Sequence, residues 1–438
     1  MQKHKILLLQ ACLFTMHLSA QENWTLRQCV DYAIENNIEL DQKYNKVNKQ
    51  SINVLESKAG FLPNLYAGTS LSLGFGRSID DNTNAITFDQ TLGNDYRLQS
   101  SLNLFQGLTN LNNVSYQKHL LSAIKEEAEY AKNRLVFDVL SAYYTLYYTR
   151  GLEKVAKTQV SLAEIQFNRM QKLVEVGKES QLTAQELKSQ WANDKLSLTL
   201  AENNVRNKIL ELKQLLRFSA NKKINISTIP LASLVIKPLP NIDSVFNIAK
   251  IQLPEIKMQE YLLSASQKNM AISKGNISPR LYLQAGIGTG YFDSDSLAFS
   301  RQLINKQNQW IRIGIQIPIF GRAATYSQIK RKQIAIKDQE LKLEQRKENL
   351  YSEIWKAMDD LQSAQNEYEA SVELNKMSKL TFESISKKIE KGLSSATDFE
   401  AAKQRLALSE AALLKSKLIF MMRNQMLEFY LSGNWGHL

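Results

Sequence analysis

Histidine, cysteine, proline and glycine are all scarce in this chain of 438 residues, and each scarcity excludes something. With four histidines and two cysteines there is no metal-spaced cluster, and neither a phosphate-cradling glycine loop nor a nucleophile elbow occurs. The chain is therefore not expected to be an enzyme, and no metal or cofactor is expected. Cys12 and Cys29 cannot both be retained if the amino-terminal segment is removed, so no intrachain disulfide forms and packing alone must hold the fold. No run reaches the roughly 18 uninterrupted apolar residues of a membrane helix, so any membrane span must be β.

What is present begins with Lys3 and Lys5, the apolar run Ile6–Leu9 continuing through Ala11, Leu13 and Phe14, and the close Leu18-Ser19-Ala20. Residues 1–20 read as a secretory signal peptide cleaved after Ala20. Cys12 is a weak lipidation candidate, because its preceding apolar run is shorter than the usual h-region of about 7–15 residues. Formal net charge is +12, or +10 without Lys3 and Lys5. The charges are dispersed along helical stretches, which describes solvated faces, and export removes nucleic acid as a partner.

The chain repeats itself. Ala33–Glu39 matches Ala249–Glu255, and Phe61-Leu62-Pro63-Asn64-Leu65-Tyr66 matches Ile277-Ser278-Pro279-Arg280-Leu281-Tyr282, both 216 residues apart. Leu104-Phe105 matches Ile319-Phe320 and Val176-Gly177 matches Lys391-Gly392, now 215 apart, so one residue has been lost between copies. The expected organisation is a first repeat over 21–218, a linker over 219–243 holding Pro230, Pro238 and Pro240, and a second repeat over 244–438. Each repeat carries a helix, two strands and a long helical hairpin.

Period-two alternation marks the strands. Leu65, Ala67, Thr69, Leu71, Leu73 and Phe75 alternate with Tyr66, Gly68, Ser70, Ser72 and Gly74, and Leu281 through Tyr291 repeat the pattern. Tyr96 to Leu104 and Ile311 to Ile319 supply the partner strands. About eleven residues suffice to cross a bilayer as a tilted strand, and no further strands are evident to cover the apolar face. A membrane sheet must close without an edge, and four strands are fewer than the eight of the smallest barrels, so several chains must share one barrel. Arg97 and Arg312, equivalent by the repeat, fall on the polar face and are expected to line a lumen. The long loops 76–95 and 292–307, with Asp80, Asp81, Asp89, Asp293 and Asp295, are expected at the cell surface.

Residues 108–176 contain no proline and only Gly151 among good helix formers, enough for a helix of about 100 Å, and 322–391 repeat it. Ala156, Val160, Ala163, Phe167, Met170 and Val174, then Ala184, Leu187, Trp191, Leu198, Ala201, Val205, Leu212 and Leu215, form a coiled-coil seam interrupted by Asp194 and Lys208. Gly177 and Gly392 mark the reversals at the hairpin tips.

In this order the residues resemble the TolC family of outer-membrane efflux factors, over essentially the whole mature chain. The carriers are Trp24 to Asn37, the Phe61-Leu62-Pro63 entry to the first strand, the Ile317 to Gly321 exit from the last, and the paired glycine turns. The resemblance implies an α+β membrane protein in the outer membrane: a homotrimer whose twelve strands form one barrel, continued into the periplasm by coiled-coil helices. It implies a passive channel of a tripartite efflux or type I secretion system. Its partners would be outer-membrane lipid, a periplasmic adaptor (membrane fusion protein) and an inner-membrane transporter of the RND, ABC or MFS class. A non-transporting coiled-coil protein of the envelope is the alternative, but it leaves the strands unexplained.

For the periplasmic aperture, Asp398 matches the first of two constricting aspartates, while Ala401 replaces the second and Glu400 stands one residue away. Thr183 and Glu186 are the first-repeat candidates. Ser394 and Ile389 replace the family's arginine and tyrosine near the tip. Ser395 to Asp398 also has capping-box spacing, which gives Asp398 a purely structural reading.

Overall fold

A computed structural model describes residues 23–79, 86–88, 90–219, 221, 224–227, 238–293 and 295–436. Segment 1–20 with Cys12, the acids Asp80, Asp81 and Asp89, Pro230 and His437 lie outside the described residues. In chain order the elements are β1 (Asn23–Trp24), α1 (Leu26–Asn36), α2 (Ile38–Ala59), β2 (Asn64–Gly74), β3 (Arg77–Ile79), β4 (Ile86–Phe88), β5 (Thr91–Gln106), α3 (Thr109–Glu175) and α4 (Gln181–Leu215). There follow β6 (Asn225–Ile226), α5 (Ile242–Gln252), α6 (Pro254–Gly275), β7 (Arg280–Phe292), α7 (Phe299–Asn305), β8 (Asn308–Gln316), α8 (Ala324–Glu390) and α9 (Ala396–Ser432).

The duplication is written in the element boundaries. α5 and α6 begin and end 216 residues after α1 and α2, and α8 begins and ends 215 after α3, each of the latter pair being 67 residues long. The left-handed residues repeat too. Gly107, Leu108 and Gly177, with φ of +58°, +59° and +70°, are matched 215 residues on by Arg322, Ala323 and Gly392 at +50°, +60° and +73°.

The chain forms two compact units, each drawn from both repeats. One, residues 44–127 and 255–345, contains a four-stranded antiparallel sheet in the order β2-β5-β7-β8. Its register runs Leu65–Ser100–Ala285–Ile311 in one row and Asn64–Ser101–Gln284–Arg312 in the next. One face thus gathers Leu65, Leu71, Leu98, Leu283, Ile287, Ile311 and Ile313, with Leu71 70% and Ile311 79% exposed. β2 and β8 are its outer strands, each paired on one side.

Two details depart from strict alternation. A bulge between Asn103 and Phe105 puts Phe105, rather than Leu104, opposite Leu281. β8 stops at Gln316, so Ile317 and Ile319 lie beyond it, because Pro318 has no N–H to extend the ladder. The strands are also not confined to this sheet. β3 pairs with β4 within the first loop, β1 pairs in parallel with β6, and the second loop contains α7. Both pairs are only two or three residues long, too short for periodicity to reveal.

The second unit, residues 23–43, 128–254 and 346–436 among those described, packs the long helices together. Its core holds Cys29, Ala33, Val139, Tyr143, Leu146, Leu212 and Leu216. The Tyr143 hydroxyl lies 3.0 Å from the carbonyl oxygens of both Trp24 and Ser227, tying α3 to the β1–β6 pair. Burial pushes the Cys29 thiol up to about 12, so it stays a protonated core group. The seam residues of α4 are buried or half-buried, as their spacing requires. Of its two interruptions, Lys208 pairs with Glu211 at 2.8 Å, and Asp194 is buried.

Candidate channel wall and aperture

Both hairpin turns are built alike. The N–H of Gly177 donates to Val174 O and that of Lys178 to Leu173 O, while Gly392 donates to Ile389 O and Leu393 to Lys388 O. This is the pair of bonds that closes a helix through a left-handed residue. No atom lies within 4 Å of where a Cβ would stand on either glycine, so backbone conformation, not space, requires glycine there.

Beyond the turns each new helix is capped. The Ser180 hydroxyl accepts from the Thr183 N–H at 3.2 Å, and Glu186 is exposed one turn on. At the second tip, Ser395 Oγ accepts from the Asp398 N–H at 3.0 Å and donates to Asp398 Oδ2 at 2.7 Å. The backbone N–H of Ser395 and the hydroxyl of Ser394 also donate to Oδ2. These bonds, the Ser395 hydroxyl foremost, hold the exposed Asp398 carboxyl below the usual carboxylate range. A depressed carboxylate contributes stability above its unfolded value and loses it as pH falls through the folded one. The Asp398 amide is therefore expected to keep its exchange protection, measured against the unstructured rate at the same pH, down to about pH 4 and to lose it below, with Asp398→Asn abolishing that step.

Glu400 turns inward. Its Oε2 lies 2.7 Å from Lys403 Nζ, which in turn donates to Asp194 Oδ2 of α4 at 2.8 Å. Gln190 donates to the other Asp194 oxygen at 2.9 Å, while Glu400 Oε1 is buried without a hydrogen-bond partner. Lys403 is 2% exposed. A second tie between hairpins is Arg169 of α3, whose Nη2 donates to Ile389 O at 2.7 Å and Glu390 O at 3.0 Å. A guanidinium on the last carbonyls of α8 also opposes that helix end's negative pole. Neither Lys403 nor Arg169 stands out in the sequence. The available signal for the first was Asp194, an acid on an apolar seam that called for a cation opposite.

On the sheet, Arg97 and Arg312 share the face opposite the apolar one, in rows Gly68–Arg97–Gly288 and Gln284–Arg312. Arg97 Nη2 lies 3.4 Å from Asp95 Oδ2, and the Arg312 guanidinium sits 5.3 Å from the centre of the Trp310 ring. A cleft of about 260 Å³ on this face is lined by Arg97, Gln99, Lys306, Asn308 and Trp310, among others. Among the described residues no group of His, Cys, Asp and Glu is arranged to hold a metal ion, and no helix is long and apolar enough to cross a membrane.

A sheet with an exposed apolar face and half-paired outer strands, joined to paired helical hairpins of unusual length, defines a barrel-and-helix channel assembled from several chains. The description "Outer membrane efflux protein" matches residues 29–216 and 245–429, one copy to each repeat, and the chain belongs to that family. The fold is that of solved channels at low identity. CusC shares 18% identity at TM-score 0.80, covering 93% of this chain and 92% of that one. The Campylobacter jejuni CmeC outer membrane channel shares 16% at 0.79 (93% and 85%), and the open Neisseria gonorrhoeae MtrE channel 16% at 0.77 (93% and 88%). No curated protein sequence matches the chain.

The protein is thus a non-enzymatic outer-membrane efflux channel of the tripartite kind, a β-barrel with helices extending into the periplasm. Family membership implies a trimer working with an efflux pump.

Proposed function

We propose that this channel receives its cargo through a periplasmic adaptor of the membrane-fusion type from an inner-membrane transporter of the RND, ABC or MFS class. The repeats are read as two domains, 21–218 and 244–438, joined by 219–243 after a signal peptide over 1–20. The polar face with Arg97 and Arg312 lines the lumen, because charge facing lipid is costly and charge facing water is not. The turns at Gly177 and Gly392 form the periplasmic aperture, with Asp398, Thr183 and Glu186 at its rim and Glu400 anchored behind it to Lys403. The observation that carries the aperture is that both tips are tied across the hairpins, by Arg169 to the end of α8 and by Lys403 to Asp194. Such ties hold a resting aperture closed, and three Asp398 carboxylates around it attract cations.

The test is single-channel recording in a planar bilayer. Wild type is expected to open rarely, Arg169→Ala to open several-fold more often, and spermidine applied from the helical side to block wild type more strongly than Asp398→Asn. Unchanged opening in Arg169→Ala would remove the tie from the gate. Identical spermidine block would remove Asp398 from the aperture.

A further inference from the structure

The polar face of the sheet is not electrically balanced. Four charged side chains project from it: Asp95, Arg97, Arg280 and Arg312, by the alternation that the register establishes. The one acid is taken up by Arg97 at 3.4 Å. Arg280 donates to Asn276 Oδ1 at 3.2 Å, a neutral partner, and the contact of Arg312 is the Trp310 ring. Among the described residues the face therefore presents two arginines without carboxylates in every chain, repeated around a shared barrel. A guanidinium is permanently charged and presents a planar fork of donors suited to carboxylate, sulfonate or phosphate oxygens.

Aromatic rings frame one of these arginines. Trp310 of β8 is opposite Gly286 of β7 and lies on it, since a Cβ at Gly286 would be 2.7 Å from the indole. Four rows away, and on the same face, Tyr282 of β7 lies on Gly314 of β8, where a Cβ would be 2.4 Å from the phenol. The row Gln284–Arg312 runs between them. Both rings are thus laid along the sheet by glycines on the facing strand, leaving ring surface beside a cation that no acid among the described residues neutralises.

We propose that this face, centred on Arg312 between Trp310 and Tyr282 and supported by Arg280, is a binding wall for small aromatic anions passing through the barrel. The proposal rests on the lumenal reading of the polar face. A ring stacks on the aromatic floor while its acidic group meets the guanidinium, and rings of cationic side chains favour anions in a pore.

The experiment is current block in planar bilayers with 1,5-naphthalenedisulfonate added on the barrel side, against N-methylquinolinium as an aromatic cation. Wild type is expected to be blocked by the disulfonate at about one-tenth the concentration of the cation, and Arg312→Gln to raise the disulfonate concentration needed about tenfold. Equal block of wild type by the two probes overturns the proposal and leaves the channel intact. So does an unchanged disulfonate block in Arg312→Gln. If Arg312→Gln forms no pores, the wild-type comparison alone decides. If neither wild type nor the more open Arg169→Ala forms pores, the lumenal reading falls and takes this inference with it.

Discussion

Replacing Lys403 by methionine is expected to cost about 3–5 kcal/mol, the range for removing one partner of a buried ion pair. Lys403 stands 2.8 Å from Asp194 and 2.7 Å from Glu400. Without the ammonium, two carboxylates face each other in a site that water scarcely reaches, and Glu400 already leaves Oε1 unpartnered. The cost comes from stranded charge rather than from lost attraction. It follows that Lys403→Met combined with Asp194→Leu and Glu400→Gln should recover most of the loss, because apolar packing often matches a buried ionic cluster. Denaturant unfolding of the extracted trimer measures the two stabilities, and proteolysis near 177–181 and 392–395 reports whether the loss is local to the tips. A cost below about 1 kcal/mol for the single variant, typical of exposed pairs, would show that the triad does not hold the hairpins together.

Gly107→Ala is expected to be comparably damaging, while Arg322→Gly at the equivalent position of the second repeat should change stability by less than about 1 kcal/mol. Both residues are left-handed, but their surroundings differ. A Cβ on Gly107 would lie 2.4 Å from the carbonyl oxygen of Gly275 and 2.6 Å from Ser278 Cβ. Backbone cannot move aside as a flexible side chain does, so roughly 1–3 kcal/mol of overpacking adds to roughly 1–2 kcal/mol of backbone strain. At Arg322 the strain is already borne. Glycine relieves it and returns a similar amount as added freedom of the unfolded chain. The yield and unfolding midpoint of extracted trimers give both numbers, and equal effects at the two sites would mean that the crossing with Gly275 is not a rigid contact.

Much of this architecture is legible in the sequence. The long helices appear at the expected length because their signals are local: no proline from 108 to 176, apolar residues spaced by three and four, and a glycine where the chain reverses. The oily face of the sheet was readable because period-two alternation cannot be rearranged by folding. Where the strands depart from simple alternation, a backbone irregularity is the cause. The bulge before Phe105 moves Leu104 out of register, and Pro318 ends β8 before Ile317 and Ile319. The spacing of Ser395 and Asp398 was visible as a cap, and the same acid remains available at the proposed rim. The role of Glu400 was not visible, because Lys403 and Asp194, 209 residues apart, had first to be brought together.

By itself, then, the sequence determined the duplication, the two-faced strands, the hairpins and the need for several chains to close one barrel. These follow from periodicities and breakers that act over a few residues. Only the tertiary structure decided which side chains meet. Asp194 finds Lys403, Arg169 finds the end of α8, and Trp310 finds Gly286, because helix packing and strand register, rather than neighbouring residues, determine those distances.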